Sequence, residues 1–118
     1  MRFLMTTKGT DPNPDAAVIA EMGAFIEEMT KAGVLLATGG LEPGGLRMVS
    51  SAGEISVTDG PFTEAKEAIV SFALIEARSR EEAVELARRF WRIVGDGEGT
   101  IQQVFGPEDG PQDGPGPR

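Results

Sequence analysis

Asp59-Gly60-Pro61-Phe62-Thr63-Glu64-Ala65-Lys66 places two carboxylates and an ammonium close together in the chain. A carboxylate near a lysine can act as a general base toward an acidic C–H, and the ammonium can stabilise the negative charge that develops or anchor an anionic substrate. In that reading the turn at Gly60, Pro61 and Phe62 presents Asp59, Lys66 and Glu64 toward a cleft. A turn alone also accounts for the tripeptide, because Asp supports turns through its side chain, Gly adopts unusual φ and Pro fixes the exit direction. Glu42 lies in the Gly-rich stretch Gly39-Gly40-Leu41-Glu42-Pro43-Gly44-Gly45-Leu46. Buried in a cleft, its pKa would rise toward a range useful for acid/base work; exposed, it is a loop acid. Arg2 and Arg47, both on strand-like segments, could pair with a carboxylate ligand or simply occupy surface strand positions. Asp59, Glu42 and Lys66 are therefore the candidate catalytic groups, and Gly60, Pro61, Phe62, Glu64, Arg47 and Arg2 the candidate substrate-binding ones.

Composition narrows the chemistry. The chain of 118 residues contains no Cys and no His. This excludes thiol nucleophiles, disulfides, imidazole catalysis and the usual zinc or haem sites, so neither a metal nor a cofactor is expected. A formal net charge of −8 opposes the phosphate backbone and disfavours direct nucleic-acid binding. No apolar run approaches the roughly 20 residues that span a bilayer, and the apolar start is too short for a signal h-region, so a non-membrane, cytoplasmic protein is the default expectation. The adjacent pairs Glu27-Glu28 and Glu81-Glu82 diverge around a helix and read as solvated faces. Gly95-Asp96-Gly97-Glu98-Gly99 follows a helix and precedes a strand, the reverse of a dinucleotide-binding loop, and lacks a Walker lysine.

The elements that must position these groups are legible from periodicity and punctuation. Arg2 to Thr7 reads as a first strand ending in a Gly/Pro loop. Asn13 is placed to cap a helix with Pro14 at its first position, and Val18, Met22, Phe25 and Met29 recur on one face up to a stop at Gly33. Val34 to Ala37 reads as a buried strand, and Leu46 to Val49 with Ile55 to Thr58 as a hairpin. Ala68 to Glu76 is apolar on both faces, which predicts a central strand. Ser79 and Glu82 have capping-box spacing before the helical face Ala83, Leu86, Ala87, Phe90 and Val94, where Arg88, Arg89 and Arg92 suit the negative end of the dipole. Phe25, Phe72 and Phe90 read as core, and Trp91 as core or dimer interface. Thr100 to Phe105 is a last strand.

The plan is α+β, ferredoxin-like β-α-β-β-β-α-β with an antiparallel sheet. Helices cover one face of such a sheet, and a second copy of the same sheet is the simplest cover for the other, which predicts a homodimer. Residues 1–105 form the domain, and the Gly/Pro-rich residues 106–118 are expected to be a mobile tail.

Val57-Thr58-Asp59-Gly60-Pro61-Phe62-Thr63-Glu64-Ala65-Lys66-Glu67 closely resembles the signature of the DGPF branch of the YCII-related proteins. Phe3-Leu4-Met5, Glu28-Met29-Thr30-Lys31-Ala32-Gly33-Val34-Leu35-Leu36 and Gln103-Val104-Phe105 agree with it in order and spacing. The resemblance implies a dimeric α+β barrel with a cleft between sheet and helices as its site. It also implies kinship with muconolactone-isomerase-type and monooxygenase-type small domains, and a genomic setting beside extracytoplasmic-function sigma factors. The chain departs from the pattern at Thr38-Gly39-Gly40-Leu41-Glu42-Pro43, where many members read Gly-Glu-Gly-Leu-His-Pro. The His and Asp pair proposed as catalytic across the broader family cannot be carried over to a chain without His.

Two functions follow as expectations. One is a ligand-binding or regulatory homodimer with a small-molecule pocket, with an extracytoplasmic-function sigma factor as a possible partner. The other is a cofactor-independent lyase or isomerase acting on a small cyclic or aromatic metabolite, with Asp59 or Glu42 as base and Lys66 as charge stabiliser.

Overall fold

The computed structural model describes residues 1–59 and 68–109. Along the chain the elements are β1 (Arg2–Lys8), α1 (Ala16–Lys31), β2 (Leu35–Gly40), β3 (Leu46–Ser51), β4 (Glu54–Asp59), β5 (Ile69–Glu76), α2 (Arg80–Val94) and β6 (Glu98–Val104). Four strands form one antiparallel sheet in the order β2-β5-β1-β6, and β3 pairs with β4 in a separate two-stranded ribbon. The α+β, ferredoxin-like plan holds. Among the described residues four strands lie between the helices, at the four segments expected from the sequence and one more than the shorthand β-α-β-β-β-α-β counts, and both arms of the hairpin stay outside the main sheet.

The doubly apolar segment is central as its composition requires: β5 lies between β2 and β1. Alternation along the strands sends Phe3, Met5 and Thr7 of β1 to the same face as their partners Ile75, Ala73 and Ser71 of β5. Phe3, Ile75, Ala77 and Ala83 form the buried core, with Val34, Leu35, Leu86 and Ile101 packed against it. Leu4, Phe72 and Leu74 fall on the opposite face.

Helix ends follow local chemistry. Asp15, not Asn13, caps α1, its carboxylate accepting from the Val18 N–H at 3.0 Å. The Asn13 N–H is itself held by Asp11 Oδ1 at 2.9 Å, so the turn before the helix consumes Asn13 and moves the start to Ala16. At the other end Gly33 takes φ +74°, the Gly33 N–H donates to the Thr30 carbonyl and the Val34 N–H to that of Met29. These two bonds make a Schellman motif, which needs a left-handed residue at Gly33. In α2 the Ser79 hydroxyl accepts from the Glu82 N–H at 3.0 Å, while Glu82 Oε1 accepts from the Arg78 N–H at 3.1 Å rather than from that of Ser79. The Arg78 guanidinium then pairs with the same carboxylate at 2.8 Å. These bonds from Arg78 hold the Glu82 pKa below the ordinary glutamate value.

Candidate functional site

A cavity of about 610 Å³ lies between the main sheet and the two helices, in the size range typical of small-molecule sites. Its origin is visible in the register. On the helix-facing side of the sheet, Leu35, Ile75, Phe3 and Gln103 share one rung, and the next residues on that face are Thr38, Ala73, Met5 and Ile101. The third rung is Gly40, Ser71, Thr7 and Gly99. Side-chain volume tapers sharply along this series. Where the rung holds only two glycines, a serine and a threonine, the sheet cannot fill the space beneath the helices, and the cavity opens there.

From above, α1 contributes Met22, Phe25, Ile26 and Met29 and α2 contributes Ala87 and Trp91. Phe25 and Phe90, expected to be core, and Trp91, expected to be core or dimer interface, line this space instead. The Trp91 ring is seated against two glycines of the segment Gly95-Asp96-Gly97-Glu98-Gly99. A Cβ on Gly97 would stand 2.9 Å from Trp91 Cζ3; one on Gly99 would collide first with the Thr6 carbonyl oxygen of the neighbouring strand and would also stand 3.2 Å from Trp91 Cζ2. Gly95 serves differently, taking φ +84° as the residue that ends α2. The three glycines therefore end a helix and seat an indole.

Thr7 and Ser71 are paired hydroxyl to hydroxyl at 2.5 Å, and Thr7 is buried to 7% exposure. Thr38 donates to the Phe72 carbonyl at 2.9 Å, leaving its oxygen lone pairs available. These hydroxyls form a polar wall of a largely apolar cavity; Thr6 and Thr100 also border it, but strand alternation directs their side chains to the opposite face, where their hydroxyls bond each other at 2.8 Å.

A charged clamp outside the cavity ties its two helical walls together. The Arg89 guanidinium donates to both Glu28 carboxylate oxygens at 3.0 and 2.9 Å and lies 4.9 Å from the centre of the Phe25 ring. The hydrogen bond from Arg89 is the main cause that lowers the Glu28 pKa, and the same bond raises that of Arg89.

The residues singled out for chemistry lie elsewhere or outside the described residues. Asp59 is the exposed last residue of β4, paired with Leu46 of β3. Arg47 is exposed on β3 opposite Thr58. Glu42 is exposed in the loop before β3, its Oε1 3.4 Å from where a Cβ on Gly45 would stand. Arg2 is engaged at the strand end with its cross-strand neighbour Glu76, Nε to Oε1 3.6 Å, and the terminal ammonium bonds the same carboxylate at 2.7 Å. The amino-terminal hydrogen bond is the largest influence lowering the Glu76 pKa. None of these four lines the cavity. Gly60, Pro61, Phe62, Glu64 and Lys66 lie outside the described residues. Among the described residues no three Asp or Glu side chains converge as a metal site would require, and no helix is long and apolar enough to cross a membrane. Sequence reasoning missed the hydroxyls of Thr7, Ser71 and Thr38, whose signal was a small or polar residue on the inward face of an otherwise bulky strand.

The comparison with known families agrees with this architecture. Residues 1–105 match the YCII-related domain, and the chain belongs to that family. A curated relative is an uncharacterised protein, R00369, of Rhizobium meliloti (strain 1021), 34% identical over 84 residues that span 70% of this chain and 68% of the relative. Among solved structures the fold resembles 5-chloro-2-hydroxyhydroquinone dehydrochlorinase (TftG) from Burkholderia phenoliruptrix AC1100, determined in complex with 2,5-dihydroxybenzoquinone. The TM-score is 0.51 at 17% identity, covering 92% of this chain and 97% of that one.

Proposed function

We propose that this chain is a small-molecule-binding domain of the DGPF branch, whose ligand occupies the cavity between the sheet and α1 and α2. The observation that carries this reading is the cavity itself, about 610 Å³ of largely apolar space with hydroxyls on one wall. The ligand-bound structure of the dehydrochlorinase supports it at the level of fold. The proposed protein is a cytoplasmic homodimer. Leu4, Phe72 and Leu74 lie on the sheet face opposite the helices, and Leu36 and Val104 are 46% and 37% exposed, so a second copy has apolar surface to cover. Ligand binding would then serve a regulatory role, with an extracytoplasmic-function sigma factor as the partner the family resemblance suggests.

The test is a thermal-shift and tryptophan-fluorescence screen, since Trp91 is the chain's one Trp and lines the cavity. Binders should raise Tm and perturb Trp91 emission in the parent chain. Both effects should vanish in Gly40→Leu, whose Cβ would meet nothing nearer than the Val70 carbonyl at 3.8 Å and whose side chain would occupy the cavity. Ligands that still bind Gly40→Leu unchanged would place the site elsewhere. Light scattering tests the dimer, and Phe72→Glu should yield monomers.

A second reading, a cofactor-independent lyase or isomerase using Asp59, Glu42 and Lys66, is favoured by the activity named for the dehydrochlorinase of like fold. It requires these groups to reach a ligand. Asp59→Asn should then abolish turnover without lowering Tm, and a large loss of Tm would instead support a turn-forming role.

A further inference from the structure

Resting on the cavity as ligand site, the arrangement of its hydroxyls narrows the ligand class. We propose that the cavity selects a neutral, mainly apolar ring carrying a single hydroxyl or carbonyl oxygen, which is held by the Thr7 and Ser71 hydroxyl pair. Two hydroxyls contain two hydrogens between them, and the bond joining Thr7 Oγ1 to Ser71 Oγ uses one. The pair therefore offers one O–H donor along with lone pairs. That complement satisfies one hydroxyl or carbonyl oxygen, and Thr38, on the neighbouring rung with its own hydrogen given to the Phe72 carbonyl, adds an acceptor to the lining.

A carboxylate is a poor match for the same wall. It brings two oxygens and a full charge into a largely apolar space, and a buried charge needs a cation and several donors. Among the described residues the only charged side chain lining the cavity is Arg88, which is exposed and pairs with Glu85 at 3.3 Å. The remaining surface suits a ring: Phe25, Phe90 and Trp91 supply aromatic walls, and Phe90 and Trp91 pack edge to face at 5.1 Å.

Three probes of matched shape separate the terms: 4-propylphenol, propylbenzene and 4-propylbenzoate at neutral pH, each titrated against Trp91 fluorescence with Tm as a second readout. The phenol should bind about three- to tenfold more tightly than propylbenzene, the worth of one net hydrogen bond, and the benzoate should bind weakest. In Thr7→Val with Ser71→Ala, which removes both hydroxyls together and so strands neither, the phenol should fall to the affinity of propylbenzene while propylbenzene itself is unchanged. Ser71→Thr keeps the hydroxyl and should keep the phenol's advantage, and serves if the double variant fails to fold cooperatively. A benzoate that binds as tightly as the phenol overturns the ligand class while leaving the cavity as a site. A phenol advantage that persists without the hydroxyls overturns the role of the pair. Failure of all three probes to bind overturns the cavity reading beneath both.

Discussion

Gly97→Ala should be among the most damaging single-methyl additions this chain can receive, for two separable reasons. Gly97 holds φ +148°, a region that residues with a Cβ rarely adopt, and such strain costs about 1–3 kcal/mol. The new Cβ would also stand 2.9 Å from Trp91 Cζ3, 3.0 Å from Thr10 Cγ2 and 3.1 Å from the Lys8 carbonyl oxygen, and overpacking of this kind costs a further ~1–3 kcal/mol. The sum, about 2–6 kcal/mol, is a large share of a small domain's stability. Urea unfolding followed by far-UV circular dichroism measures it in the parent and in Trp91→Leu. Removing the indole relieves the contact at Cζ3 but leaves φ, Thr10 and Lys8 untouched, so the penalty for Gly97→Ala should shrink by about 1 kcal/mol in that background without vanishing. A penalty below ~1 kcal/mol in the parent, or one identical in both backgrounds, would refute the claim that Gly97 seats Trp91.

The remaining predictions concern helix, turn and clamp. Gly23→Ala, in the middle of α1 with nothing within 4 Å of its Cβ position, should stabilise by about 0.5–1 kcal/mol, whereas Gly33→Ala, equally uncrowded but at φ +74°, should destabilise by about 1 kcal/mol; chemical denaturation of both checks the pair. Ala52 is the one described non-glycine residue with positive φ, at +52° beside Gly53 at +82°, so Ala52→Asn should raise stability by about 0.5–1 kcal/mol in the same assay by matching the turn to its preferred residues. Glu28 has its pKa lowered by Arg89, so its contribution is present above the ordinary glutamate range and fades as pH falls through the depressed folded value; Glu28→Gln should lower Tm at neutral pH and flatten its decline into acid, as a Tm against pH profile will show. An unchanged acid limb would remove the clamp from the account.

The fold was legible because its signals are repeated. The 3.6-residue spacing of Val18, Met22, Phe25 and Met29 lies on α1, the capping pair Ser79 and Glu82 opens α2, and the doubly apolar run at β5 is central. The N-cap was misplaced by two residues because Asp11 competes for the turn around Asn13. All four strand segments between the helices were legible, but hairpin alternation predicts pairing between β3 and β4 and not their separation from the main sheet. The cavity was far less legible, for a different reason. Its polar rung joins Thr7, Gly40, Ser71 and Gly99, four positions spread along almost the whole chain, and each is ordinary in its own neighbourhood. What they share is missing bulk, and missing bulk becomes visible only when the register lines it up.

That distinction bears on how charge and cavity divide the work. In a chain without His or Cys, carboxylates are the plainest candidates for proton transfer and guanidiniums for binding an anion. In the folded chain Arg2, Glu42, Arg47 and Asp59 lie outside the cavity lining, while Glu28 and Arg89 bind one helix to the other. With α1 and α2 held together over a sheet that narrows from Phe3 and Ile75 to Thr7 and Ser71, the space beneath them is fixed by large side chains at one end and by the helix clamp above. A cavity built this way need not wait for a ligand to form it, so little ordering entropy should oppose binding. On the proposed reading, affinity there would depend chiefly on apolar contact and on whether one ligand oxygen finds the single donor that Thr7 and Ser71 leave free.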